Sequence, residues 1–85
     1  MSWAAPKGDR GSWDQRIPYY LLIRDHFASL IENGELSPGE KLPPERELRD
    51  RFQTTRVTAR QALMQLEAEG LIYRENRRGW FVSPP

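Results

Sequence analysis

Hydrophobic and polar positions along the chain change period four times, and each change marks an element. Between Tyr19 and Asn33, the residues Tyr20, Ile23, Phe27, Leu30 and Ile31 fall at the three- and four-residue steps of one helix face, with Leu21 and Leu22 widening it. The spacing predicts a helix over 19–33. Pro18 holds Ile17 extended at its start, and Asn33-Gly34 stops it. Ser37-Pro38-Gly39-Glu40 reads as a turn and Lys41-Leu42 as a short strand. A second helix should start near Pro44, since a proline's missing N–H costs nothing in the first turn. Leu48 and Phe52, four apart, then share a face that must be buried.

Gln53, Thr54 and Thr55 interrupt that pattern, and either threonine can cap a new helix. Ala59, Ala62, Leu63 and Leu66 give the next one its apolar stripe from about Arg56 to Glu69, with Gly70 beyond its end. The period then falls to two. Leu71–Glu75 reads as a strand, Asn76–Gly79 as a turn and Trp80–Val82 as the returning strand. Tyr73 and Trp80 are expected to brace this hairpin by packing across it.

The expected architecture is mainly α with a small β-hairpin: three helices plus a two- to three-stranded sheet, with the second and third helices joined by a tight polar turn. That is a winged helix-turn-helix spanning residues 17–82. Residues 1–16 have two glycines, alternating charges and no periodicity, and are expected to form a flexible arm carrying Trp3 and Trp13. Residues 83–85, Ser83-Pro84-Pro85, read as the beginning of a linker.

Charge adds what periodicity cannot. Net charge is only +1, too low for a non-specific nucleic-acid coat, so binding to DNA would have to come from local segregation. Segregation is present: from Arg51 to Leu66 there are three arginines and no acid, whereas Gly34–Asp50 has three basic and five acidic residues. Arg56 and Arg60 are neighbours on the third helix off its apolar stripe, with Thr58 and Gln61 further round, and all four can bond to phosphates or base edges. On charge alone a solvated face is the better explanation of two arginines; the order of elements and the turn chemistry reverse that preference. Arg77 and Arg78 at the hairpin tip fit the use of arginine in a narrow minor groove.

Other chemistries lack their residues. There is no cysteine, and the one histidine, His26, lies in a helix without a nucleophile or carboxylate constellation, so neither a metal site nor catalysis is expected. No cofactor is implied. No apolar run reaches the roughly 20 residues that cross a bilayer, and the N-terminus has no secretory signal, so no membrane partner and a cytoplasmic location are expected. An interaction module without DNA would show an apolar patch in place of Arg56 and Arg60.

From Pro18 to Val82 the chain resembles the amino-terminal winged helix-turn-helix domain of the GntR family of bacterial transcriptional regulators. Tyr19-Tyr20, the run Gly34–Pro43, Glu45-Arg46-Glu47-Leu48, Thr55-Arg56, Arg60, Ala62-Leu63, Leu66, Glu69–Ile72 and Gly79 carry the resemblance. The chain departs from the family at Pro44, where many members have a capping serine, at Ala59, and in the wing at Arg77 and Trp80. The resemblance implies that Arg46, Arg56 and Arg60 contact operator DNA, with Thr55 and Thr58 close by and the wing, including Gly79, at the minor groove. It further implies a repressor that is a homodimer at full length. Its small-molecule effector would bind a carboxy-terminal domain absent from these 85 residues, the segment Arg78–Pro84 being similar to members with a UTRA-type effector domain. The fragment itself is expected to be monomeric or weakly dimeric.

Overall fold

The structure, a computed structural model, describes residues 17–84. The expected arm with Trp3 and Trp13 lies outside the described residues. Helix α1 spans Tyr19–Glu32, α2 spans Glu45–Arg51 and α3 spans Arg56–Ala68. They are followed by strands β1, Ile72–Glu75, and β2, Gly79–Val82.

The helix ends follow their capping chemistry. α1 stops one residue before the expected Asn33, which is its C-cap. Pro44 is the N-cap of α2 and not its first helical residue, because its ψ of 165° is extended. With no side chain available to bond the first free amides of α2, its start relies on Glu45 and Glu47 facing the positive end of the helix dipole. α2 then ends in a reverse turn that normally calls for glycine: Gln53 takes φ 51°, while Thr54 N–H donates to the Arg49 carbonyl at 3.0 Å. Of the two candidate threonines, Thr55 caps α3, its Oγ1 accepting from the Thr58 amide at 3.1 Å. Gly70, with φ 80°, closes the other end, where Leu71 N–H donates to the Leu66 carbonyl at 3.0 Å.

One core unites these elements. Ile23, Phe27 and Ala28 of α1 meet Leu48 of α2 and Ala59, Ala62, Leu63 and Leu66 of α3. α3 is the central element, packed on α1, α2 and the first strand. Small Ala59 and Ala62, fully excluded from water, let the neighbouring helices approach it closely. Leu22, expected to widen the buried face of α1, is instead 46% exposed, and Phe52 is only partly buried. Outside the core, Arg24 of α1 donates from Nε to both carboxylate oxygens of Glu69 (3.0 and 3.1 Å) and also from Nη2, fixing the far end of α3. These bonds, with one from Gln65, hold the Glu69 carboxyl below its ordinary pKa; the same bonds to Glu69, with one to Asp25, hold the Arg24 guanidinium above its own.

The hairpin departs from the expected pairing. Its register joins Ile72 to Val82, Tyr73 to Phe81, Arg74 to Trp80 and Glu75 to Gly79. Directly opposed residues share a face, so Tyr73 and Trp80 lie on opposite faces and cannot brace each other. Tyr73 stacks on Phe81 with ring centroids 5.8 Å apart. Trp80 is buried in the core together with Ile72 and Val82, and the Arg74 guanidinium covers its ring at 5.2 Å. On the other side of β2, Gly39 N–H donates to the Val82 carbonyl, Val82 N–H to the Glu40 carbonyl and Leu42 N–H to the Trp80 carbonyl, all at 2.8–2.9 Å. A bridge between Lys41 and Phe81 completes this third, minimal strand, as the Lys41-Leu42 pattern predicts.

Candidate nucleic-acid interface

The cap at Thr55 sets where α3 begins, and so which side chains leave its first turn. Thr55 Oγ1 also donates to Thr58 Oγ1 at 3.1 Å, so the one donor hydrogen of the Thr55 hydroxyl is used within the protein, one acceptor lone pair is left free, and the Thr58 hydroxyl keeps its own hydrogen to donate. Arg56 and Arg60 project into solvent on successive turns, with exposed Gln61 beside them.

Residues distant in sequence converge in front of that first turn. Lys41 and Leu42, Pro44, Glu45 and Arg46 at the start of α2, Arg56 of α3, and Arg77 through Trp80 of the hairpin line an open cleft of about 430 Å³. Five cations, Lys41, Arg46, Arg56, Arg77 and Arg78, surround it with one carboxylate, that of Glu45. A second, shallower depression is lined by Glu45, Arg56, Val57 and Arg60. Of the residues expected from the sequence, Arg46, Arg56, Arg77, Arg78 and Gly79 thus share one cleft and Arg60 borders the next. Thr55, Thr58 and Gln61 line neither.

The cations are not equivalent. Among the described residues, Arg46, Arg56 and Arg77 form no ion pair. Arg60 lies 3.8 Å from Glu45 Oε2, and Arg78 lies 3.4 Å from Glu75 Oε1 with its guanidinium 5.9 Å from the Phe81 ring. Arg78 therefore shares its charge with Glu75, whereas Arg77 has no such partner among the described residues. The turn holds Arg77 at φ 65°, a conformation costing about 1–2 kcal/mol for a residue with a Cβ. Gly79, at φ 114°, lies under the Lys41 side chain: a Cβ there would stand 3.0 Å from Lys41 Cε.

Lys41 and Glu45 are the members of this surface that sequence reasoning left out. Alternation carried the signal for Lys41: with Leu42 buried in a short strand, its predecessor must point outward. Glu45 was legible only as a partner of the helix dipole, whereas its carboxylate also sits between the two depressions.

Three packed helices, a short turn between the second and third, and a cationic cleft closed by a hairpin define a winged helix-turn-helix DNA-binding domain. A family model described as bacterial regulatory proteins, gntR family, matches residues 20–82, and the chain belongs to that family. It is 49% identical over 69 residues to the HTH-type transcriptional repressor NagR of Bacillus subtilis (strain 168), and 42% identical over 72 residues to the arabinose metabolism transcriptional repressor of Geobacillus stearothermophilus. These alignments cover 81% and 85% of this chain but only 28% and 20% of the two repressors, so the chain spans a minor part of their length. Among solved structures it resembles AraR(DBD) in complex with operator ORX1, at TM-score 0.77 and 33% identity over 82% of this chain and 84% of that one. YtrA from Sulfolobus acidocaldarius, a GntR-family transcription factor, also has TM-score 0.77, with 37% identity over 82% of this chain and 73% of its own. Among the described residues no helix is long and apolar enough to cross a membrane.

Proposed function

We propose that this domain recognises operator DNA for a transcriptional repressor, with α3 in the major groove and the hairpin at the adjoining minor groove. The observation that carries it is the convergence of Arg46, Arg56 and Arg77, none of them neutralised by an ion pair among the described residues, on one cleft at the start of α3. A concave strip of unneutralised guanidinium groups, flanked by an exposed helix face, suits a polyanion whose grooves carry hydrogen-bonding edges. The AraR complexes with operator DNA support it from a similar domain.

Arg56 and Arg60 are the leading candidates for base or phosphate contact. Arg46 supports them from α2, Thr58 and Gln61 flank them, and Arg77 with Gly79 approaches the backbone at the wing. Thr55 acts by placing the helix, and Arg78 contributes when its pairing with Glu75 opens. The full-length protein is cytoplasmic, dimerises through a further domain following residues 83–85, binds its small-molecule effector there and reads a two-fold symmetric site. The 85-residue chain alone is monomeric or weakly dimeric. Sedimentation at micromolar concentration checks this last point, and a tight dimer of the fragment would refute it.

The deciding experiment selects bound duplexes from a random pool at stated salt and then titrates Arg56→Ala and Arg60→Ala on the enriched sequence. A lost phosphate contact lowers affinity for all sequences and reduces the salt slope by about 0.9, whereas a lost bidentate guanine contact costs about 1–3 kcal/mol at one base pair. Wild-type affinity and salt dependence in both variants would remove α3 from the interface.

A further inference from the structure

Val57 is the most exposed large hydrophobic residue among those described, at 68% of its full accessibility, although it stands in the first turn of the central helix. Helix formation does not ask for it there. A β-branched side chain at a solvent-facing position loses rotamer freedom and gains no packing, so lysine, glutamate, glutamine or alanine would serve the fold better. The core does not ask for it either, since Ala59, Ala62, Leu63 and Leu66 form the buried stripe on another side of α3.

Its surroundings identify what could cover it. Val57 forms part of the shallow depression bordered by Arg56, Arg60 and Glu45. Arginines on either side make that spot unfavourable for a purely apolar protein surface, which would have to strip water from both guanidinium groups without pairing them. The matching surface is an anionic one that offers a small apolar group between phosphates and hydrogen-bonding edges. In the major groove of DNA that group is the C5-methyl of thymine, and apolar side chains read it by contact. A helical valine is well suited because one χ1 rotamer dominates, so its two methyl groups are already fixed in direction before binding.

We propose that Val57 reads a thymine methyl group in the operator, next to the base pair or phosphates engaged by Arg56 and Arg60. The assignment rests on the DNA-binding role proposed above and adds a specific base to it. Val57 supplies discrimination at one thymine, in addition to the base or phosphate contacts of Arg56 and Arg60.

Deoxyuridine differs from thymidine only by that methyl, and so isolates the contact. Each thymine of a duplex enriched by selection is replaced in turn by deoxyuridine, and binding is titrated with the wild-type chain, Val57→Ala and Val57→Thr. For the wild type, one position in the site should lose about threefold to fivefold in affinity, the size expected for one buried methyl. At that position Val57→Ala should bind thymine and uracil duplexes equally, and Val57→Thr, which keeps one methyl, should lie between. Both variants should keep the wild-type salt slope, and Val57→Ala should melt no lower than wild type because the side chain lies outside the buried core. The proposal is overturned if no uridine position separates wild type from Val57→Ala, or if the two substitutions weaken binding independently. If instead no duplex is enriched at all, the DNA-binding role falls with it. Arg56-dependent binding that ignores the methyl would defeat only the assignment of Val57.

Discussion

Replacing Gly79 by alanine tests the backbone geometry of the wing more sharply than any charge change. A non-glycine residue held near φ 114° costs about 1–3 kcal/mol. Alanine restricts the unfolded chain and returns about 0.4–1 kcal/mol of that cost. The new Cβ would also meet Lys41 Cε at 3.0 Å and Nζ at 3.7 Å, but Lys41 is exposed and its flexible end can swing aside. Backbone strain should therefore dominate, for a net loss of roughly 1–2 kcal/mol. In a domain of this size that lowers the melting temperature by about 5–15 °C. Thermal unfolding followed by circular dichroism on wild type, Gly79→Ala, Lys41→Ala and the double variant separates the two causes. The loss caused by Gly79→Ala should persist in the Lys41→Ala background, with a coupling below about 0.5 kcal/mol. An unchanged melting temperature would refute the demand for a positive φ. A loss that vanishes once Lys41 is truncated would show that the lysine stem, and not the backbone, excludes a side chain.

The arginine pair at the hairpin tip should contribute affinity without discrimination. Arg77→Ala combined with Arg78→Ala is expected to weaken operator and random DNA by similar factors, with most of the loss already present in Arg77→Ala because Arg78 is partly held by Glu75 and Phe81. Equal titrations of wild type and double variant on operator, flank-substituted operator and random DNA would take the wing out of the interface. The Arg24–Glu69 contact predicts a pH dependence of known sign. Because the folded-state pKa of Glu69 lies below its unfolded value of about 4.5, its contribution is complete above that value and is lost as pH falls through the folded pKa. Glu69→Gln should destabilise the domain at pH 7 and narrow its gap from wild type in more acidic solution, as read from urea midpoints against pH; a gap independent of pH would contradict the ion pair.

Most of the fold was legible because its punctuation is local. Pro44, Thr55, Gly70 and the Asn33-Gly34 pair each settle a helix end through contacts within a few residues, and the observed ends lie within one residue of those expected. Hairpin pairing was not local in the same sense. The three-residue loop Asn76–Arg78, closed by the Arg78 amide on the Glu75 carbonyl at 3.0 Å, sets a register in which Tyr73 faces Phe81. An assignment of Tyr73 to Trp80 is off by one residue, and one residue inverts the face. The arginines were readable as a charge pattern, but their inequality was not. It depends on Glu45 and Glu75, whose positions relative to Arg60 and Arg78 are set by how α2 meets α3 and by the local twist of the hairpin. Lys41 escaped notice because it reaches the cleft through strand pairing across 40 residues of chain, from Lys41 to Phe81.

The three backbone hydrogen bonds that tie Gly39–Leu42 to β2 have a metric consequence. They weld the root of the wing to the segment that leads straight into α2, so the hairpin cannot pivot about its base independently of the helix-turn-helix. With α3 and the wing both on DNA as proposed, the two contact points would stand a set number of base pairs apart. A ligand site lengthened by a single base pair between them would present the outer contact about 3.4 Å too far along and about a tenth of a turn round, beyond what this welded joint can follow. On the proposed contacts, spacing in the operator would be part of what the domain recognises, alongside the identity of any base.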